Sequence, residues 1–295
     1  MSEMQPPPPL TTRLAAIAQR FGIGKTPRRV LEKASQLRLP FQPLPQPQET
    51  IWWQAGPPLQ RLVELPRSAL SGPVQEDKAD AHAVLVSVVK RSEQQLSSFD
   101  LRQVDGLCGS EHEPPPSPSF EDYLAGLHSR KVRIISYKDF IKAISLPLPR
   151  FLAGAPISLC RANWYGKRVF WSGEQHAEAF AASIAYARLR ELEATLPADI
   201  TDYHLDASGL GLLNDRYHML AMPVQAWSDP AFMGLLLDGG IPYSRLTFLR
   251  NAGAQEFILL PKKHAEATAL GEGLRLAGAA DVVRYLQALR QTAGA

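Results

Sequence analysis

Proline does more than any other residue to limit how this chain can fold, because it lacks a backbone N–H and fixes its own φ. It clusters at Pro6–Pro9, at Pro40, Pro43, Pro45 and Pro47, and at Pro114–Pro116 with Pro118. None of these stretches can be helix interior or central strand. Pro6–Pro9 predicts an extended tail. The cluster over 40–47 has no Gly/Ser run and predicts a stiff spacer. The expected divisions are therefore a proline-rich basic arm over residues 1–50 and a body over 51–295, the body divisible into 51–150 and 151–295.

Apolar spacing fills in the segments between. Leu14, Ile17, Ala18 and Phe21 predict a helix over 12–21. Pro27 suits the first turn of a second helix running through Val30, Leu31 and Leu37. The pair reads as a helix-turn-helix or a helical hairpin. Ala81, Val84, Leu85, Val88 and Val89 predict a helix over 78–96. Short helices are predicted over 120–127 and 136–144, with a strand over 132–136. Beyond Ile157 the pattern sharpens. Runs over 157–164 and 168–171 flank Tyr165-Gly166-Lys167 and predict a hairpin. Ser172 with Gln175 predicts a capping box for a long helix burying Phe180, Ile184, Ala187 and Leu192. A strand over 201–205, a helix over 208–214 and a strand over 217–222 follow. Asp229-Pro230 marks the start of a helix over 231–237. Runs over 245–250 and 256–260 around Asn251-Ala252-Gly253-Ala254 predict a second hairpin. Helices over 265–276 and 281–289, parted at Gly278, end the pattern. Strands alternate with helices, yet two pairs are hairpins. The expected fold class is α/β (α+β): a mixed sheet with hairpins and helices packed on it, plus a short helical N-terminal arm.

Composition then narrows the function classes. No run approaches the ~18 apolar residues of a spanning helix, and the start lacks the basic and apolar regions of a secretory signal. A cytoplasmic protein with no membrane partner is expected. Cys108 and Cys160 alone cannot build a disulfide framework or a four-sulfur zinc site, and are expected as reduced, mostly buried thiols. The net charge is +3, with the basic excess in residues 1–50, seven Lys/Arg against three Asp/Glu, and in 121–150, six against three. Arg13, Arg20, Lys25, Arg28, Arg29 and Lys33 are thus candidate nucleic-acid contacts, against the plainer reading of a solvated basic face.

Familiar catalytic motifs fail at named positions. Phe21-Gly22-Ile23-Gly24-Lys25-Thr26 ends like a phosphate loop, but Gln19 stands where its first glycine is needed. Ser208-Gly209-Leu210-Gly211 lacks the third small residue of the dinucleotide fingerprint, Asn214 standing there. His176-Ala177-Glu178-Ala179 and His264-Ala265-Glu266-Ala267 each open a helix, a repetition for which chance is the leading explanation. Their His-x-Glu is half of a zinc-deaminase signature whose Pro-Cys-x-x-Cys half is absent. Neither the zincin motif nor a Gly-x-Ser-x-Gly elbow occurs. Neither cofactor nor metal is expected. Arg161, Glu174, His176, His264 and Glu266 remain as catalytic candidates. His176, four residues before Phe180, leans toward the buried face as a structural histidine, and Glu174 and Glu178 suit a helix N-terminus. Trp164, Trp171 and Trp227, with Arg161, Lys167 and Arg168 nearby, are core in the plainer reading and base-stacking in the other.

The stretch Arg161–His176, with Tyr186–Arg190, Gln225–Pro230 and Leu270–Gly278, resembles an uncharacterised bacterial family of conserved hypothetical proteins across about residues 50–290. That resemblance implies a bacterial accessory protein and transfers no activity or catalytic residue. Three functions follow: an accessory protein that captures a protein partner, a nucleic-acid-binding protein using the basic arm, and an enzyme with a non-standard site at Arg161, Glu174 and His176.

Overall fold

The computed structural model describes residues 25–109, 116–126, 132–247 and 255–292. The expected helix over 12–21, the glycines of the incomplete phosphate loop, Arg13, Arg20 and the turn Asn251–Ala254 lie outside them. The described elements run α1 (Lys25–Ser35), β1 (Leu70–Ser71), α2 (Gln75–Leu85), β2 (Val89–Asp100), β3 (Gly106–Leu107), α3 (Phe120–Gly126) and α4 (Tyr137–Ile144). Next come β4 (Ile157–Ala162), β5 (Val169–Trp171), α5 (Ala177–Leu189), β6 (Thr195–Leu205), α6 (Ala207–Arg216) and β7 (Tyr217–Pro223). The last are α7 (Pro230–Asp238), β8 (Ser244–Leu246), β9 (Gln255–Pro261), α8 (Ala265–Ala277), β10 (Ala280–Asp281) and α9 (Val282–Thr292). This is an α+β protein. Among the described residues no helix is long and apolar enough to cross a membrane.

The chain forms two compact units, each assembled from separated stretches. Of the described residues, the first takes 25–44, 64–88 and those of 206–287. Its sheet is antiparallel throughout, in the order β1-β8-β9-β7-β10. β7 and β9 pair in register from Tyr217↔Pro261 to Pro223↔Gln255. Leu220, Met222, Ile258 and Leu260 form one core with Ala267, Leu270 and Leu274 of α8. Val30, Leu31 and Ala34 of α1 join that core. This is the expected second helix of the arm, and its apolar face is buried rather than presented to solvent.

Helix α8 can lie this close to two neighbours because of Gly271 and Gly273. A Cβ on Gly271 would stand 2.7 Å from the His218 ring, and one on Gly273 would stand 2.5 Å from the Ala34 Cβ. The helix ends at Gly278, whose φ of 112° is left-handed. The amides of Gly278 and Ala279 donate to the carbonyls of Arg275 (3.1 Å) and Leu274 (2.9 Å), a closure that needs this backbone. The chain thereby turns straight from α8 into β10.

Of the described residues, the second unit takes 45–63, those of 89–205, and 288–292. Its sheet, β2-β6-β4-β5-β3, is mixed: β4 with β6 and β3 with β5 are parallel, the rest antiparallel. Alternation along β5 splits its aromatics. Trp171 stacks on Phe180 of α5 at 4.2 Å, while Phe170 meets Trp53 and Tyr165. Trp164 and Trp171 are buried, as the core reading expected.

Several local expectations hold in detail. Asp229 caps α7, accepting from the Phe232 amide at 2.8 Å, with Pro230 in the first turn. The expected hairpins are present as β4–β5 and β8–β9. Three expectations need correction. The helix predicted over 78–96 stops at Leu85, and Val89–Asp100 is a strand. Its run Lys90–Gln95 is exposed and polar, so it offers no apolar helical stripe and pairs with β6 instead. The segment 132–136 belongs to no strand, because no described strand lies beside it to take its backbone hydrogen bonds. Ser172 does not cap α5. Its amide bonds the Ser158 carbonyl at 3.0 Å, prolonging the hairpin, and the helix starts five residues later.

Candidate functional site

The sequence candidates fall into both units. In the second, Arg161 of β4 donates to Asp202 of β6 through Nε (2.7 Å) and Nη2 (2.9 Å), and to Gln94 (3.2 Å). Glu174 and His176 are exposed in the loop entering α5 and make no bond to Arg161. The expected burial of His176 is not found. It precedes the first helical turn with a left-handed φ of 58°, so helical spacing does not set its direction. In the first unit, His264 is exposed just before α8 and Glu266 is half-buried in its first turn. On α1, Arg28, Arg29 and Lys33 are exposed, with Arg28 bonded to Glu32 at 3.1 Å.

Other motif residues have structural partners. Asp206 accepts from the Gly209 amide at 2.8 Å, which occupies the helix N-terminus that a phosphate would use. A Cβ on Gly209 would meet the Ser87 carbonyl at 2.0 Å, so this glycine serves a close packing contact. Arg168 donates to the carbonyls of Thr50 and Asp105. Arg245 lies over Trp227 at 4.2 Å and pairs with the buried Glu256. Cys108 and Cys160 are unbridged. The hydrogen bond with Cys160, and then burial, push the Cys108 thiol well above the usual range, which disfavours the nucleophilic thiolate. Among the described residues no three His, Cys, Asp or Glu side chains gather so as to hold a metal ion.

The most concentrated polar chemistry lies elsewhere, under α8 in the first unit. A cavity of about 270 Å³ is lined by Asn214, His218, Lys262, Glu272, Arg275 and Asp281, among others. It adjoins a shallower cleft that shares Glu272, Arg275, Asp281 and Arg284. The elements fix each group. His218 is the second residue of β7 and points at α8, where Gly271 leaves room for its ring. Glu272 follows that glycine and brings its carboxylate within 3.8 Å of His218 Nδ1. Arg275, one turn on, bonds Glu272 at 3.2 Å and approaches Asp281 of β10 at 3.5 Å. Lys262 directly follows β9 and donates to the Asn214 carbonyl.

His218 is 8% exposed, and its Nε2 has no hydrogen-bond partner among the described residues. Burial, then the charges of Lys262 and Arg275, push its pKa down to about 3. The ring is therefore neutral at pH 7. Its proton belongs on Nδ1, since the other tautomer would aim a lone pair at the Glu272 carboxylate. Nε2 is then a buried acceptor without a donor. Burial also lowers the pKa of Lys262.

A model of the family of unknown function DUF6685 matches residues 94–294. The chain belongs to DUF6685. No curated protein and no solved structure matches it. Every residue named on the cavity wall falls inside the DUF6685 match. None of the five sequence candidates lines the cavity, although His264 and Glu266 stand at the same β9–α8 junction as Lys262 and Thr268. The signals for the missed residues were small. His218 is the one imidazole inside the run Tyr217–Met222, and Glu272 sits between two glycines of α8. Such interruptions of a buried face need a reason, because a polar group buried without a partner is costly.

Proposed function

We propose that this DUF6685 protein is a non-catalytic accessory protein that binds a small polar ligand in the cavity under α8. The observation that carries this reading is the cavity wall, where His218, Glu272, Arg275, Asp281 and Lys262 gather around about 270 Å³; behind it the Nε2 of His218 is buried without a partner among the described residues. A buried polar atom without a partner costs about 1–3 kcal/mol, a cost that a purely structural site would shed by using an apolar residue. The rest of the wall suits binding better than chemistry. Both carboxylates are engaged by Arg275, the Thr268 hydroxyl donates to the Lys262 carbonyl at 3.2 Å, and among the described residues no serine or cysteine lines the cavity.

His218→Leu tests the reading. The ligand-free variant is expected to melt above the wild type, by roughly 2–4 °C per kcal/mol of relieved cost. A variant that melts well below the wild type would show that the imidazole is an ordinary structural group and would end the proposal.

In this reading the protein works in the bacterial cytoplasm and passes its binding state to a protein partner. The proline-rich basic arm read over residues 1–50, whose tail Pro6–Pro9 falls within residues 1–24, supports that assignment by composition. A pull-down comparing the full chain with one lacking residues 1–24 should lose the partner in the shorter form. Equal recovery removes the role given to that segment. Nucleic acid is the second reading, favoured by the exposed Arg28, Arg29 and Lys33 on α1. It requires a mobility shift that fades steeply with salt.

A further inference from the structure

The sheet of the second unit ends on its longest strand. β2 is outermost in the order β2-β6-β4-β5-β3, and among the described residues no strand pairs with its outer side. Two hydrogen bonds fix which way its backbone groups point. The Asp206 amide donates to the Val88 carbonyl at 2.9 Å, continuing the register Val89↔Leu205. The Leu205 amide instead donates to Asn163 at 3.1 Å, away from β2. Antiparallel partners alternate between bonded and non-bonded pairs. Lys90, Ser92, Gln94 and Leu96 therefore bond to β6, while the N–H and C=O of Glu93 and Gln95 point outward.

The register is unbroken from Val89 to Leu96 and shifts between Leu96 and Phe99. Val89 is buried, whereas Lys90–Gln95 are exposed. A second copy of this edge meets the outward groups in three two-fold registers. Centring on Glu93 sets two carboxylates directly opposite each other, which is destabilising. Centring on Ser92 sets Gln95 opposite the buried Val89. Centring on Gln94 sets Glu93 opposite Gln95 twice, and both backbone hydrogen bonds of each pair can close. The side chains suit this register. The Glu93 carboxylate accepts from the Gln95 amide. The two Gln94 side chains, whose Oε1 accepts from Arg161 at 3.2 Å, can donate to each other.

We infer that two copies of this chain pair their β2 strands antiparallel about a two-fold axis at Gln94, joining their sheets edge to edge. The surface belongs to the second unit and does not depend on the cavity under α8. The bulge after Leu96 and the buried Val89 keep the ladder short, so the dimer is a weak one.

The experiment is light scattering of the full chain from about 5 to about 500 µM, a range that covers small interfaces. The mass should rise from one chain toward two. Gln95→Glu sets carboxylates opposite each other and should raise the Kd about fivefold, whereas Gln95→Lys sets opposite charges together and should lower it about fivefold. Both change an exposed side chain and leave the β6 ladder intact. Glu93→Pro removes an outward N–H, a change that edge strands tolerate, and should abolish the dimer while the dilute protein still melts cooperatively. Under mild oxidation Gln94→Cys should link to its own copy, because non-bonded partners lie about 4.5 Å apart between Cα atoms. Ser92→Cys, set opposite Leu96, should link far more slowly. Three results overturn the inference: a mass of one chain throughout the range; Ser92→Cys linking as fast as Gln94→Cys; or Gln95→Glu and Gln95→Lys leaving the Kd unchanged.

Discussion

His218 illustrates how a single residue can be costly to the fold and informative about function. Its folded pKa, about 3, lies below the ordinary value of 6.5. The unfolded chain therefore takes up a proton that the folded chain refuses as pH falls below 6.5. The stability contributed by the neutral ring is complete above that value and declines progressively toward pH 3. Urea unfolding at pH 7.5 and at pH 5 should show a loss that is smaller in His218→Leu. An equal loss in both proteins would assign the acid sensitivity to other groups. Gly271 belongs to the same argument. A methyl there would stand 2.7 Å from the ring, so Gly271→Ala should destabilise by about 1–3 kcal/mol through overpacking. In a His218→Leu background that cost should change, because the two residues touch. The sequence showed this pair only as a polar break in an apolar strand and a glycine in a helix. Neither signal names the other residue, 53 positions away by number.

At the scale of elements, the local chemistry was largely readable. Asp229-Pro230 opened α7 and Gly278 closed α8, whereas the capping box expected at Ser172 did not form and the one present, Ser136 with Asp139 at α4, was not read from the sequence. A cap such as Asp229 is legible because donor and acceptor lie within one turn of each other; Ser172 failed because its amide was taken by the distant Ser158 carbonyl. The failures came where a distant partner decided. Val89–Asp100 became a strand because β6 supplies a matching ladder, and 132–136 stayed irregular because no strand came beside it. Helix α1 was legible as a helix but not as core. Its Leu31 is 1% exposed against α8, so Leu31→Ala should cost about 2–5 kcal/mol in a denaturant titration. A cost below 0.5 kcal/mol would mean that α1 detaches from α8 in solution.

At the scale of the whole molecule, the DUF6685 match and the two units describe different divisions of the chain. The match begins at residue 94, yet the first unit also needs α1 and α2 from before it. Removing residues 1–44 strips Val30, Leu31 and Ala34 from the α8 core and should lower the melting temperature by many degrees below that of a chain lacking only 1–24. Equal melting of the two truncations would contradict the packing of α1. What the sequence determined by itself was the α+β class, most helices, two hairpins and the absence of familiar catalytic signatures. These rest on spacing, caps and missing residues within short windows. Only the tertiary structure decided that strands form two sheets and that Asn214, His218, Lys262, Glu272, Arg275 and Asp281 share one wall. Strand pairing and side-chain convergence depend on backbone hydrogen bonds and close packing between distant segments. No local pattern encodes which segments will meet.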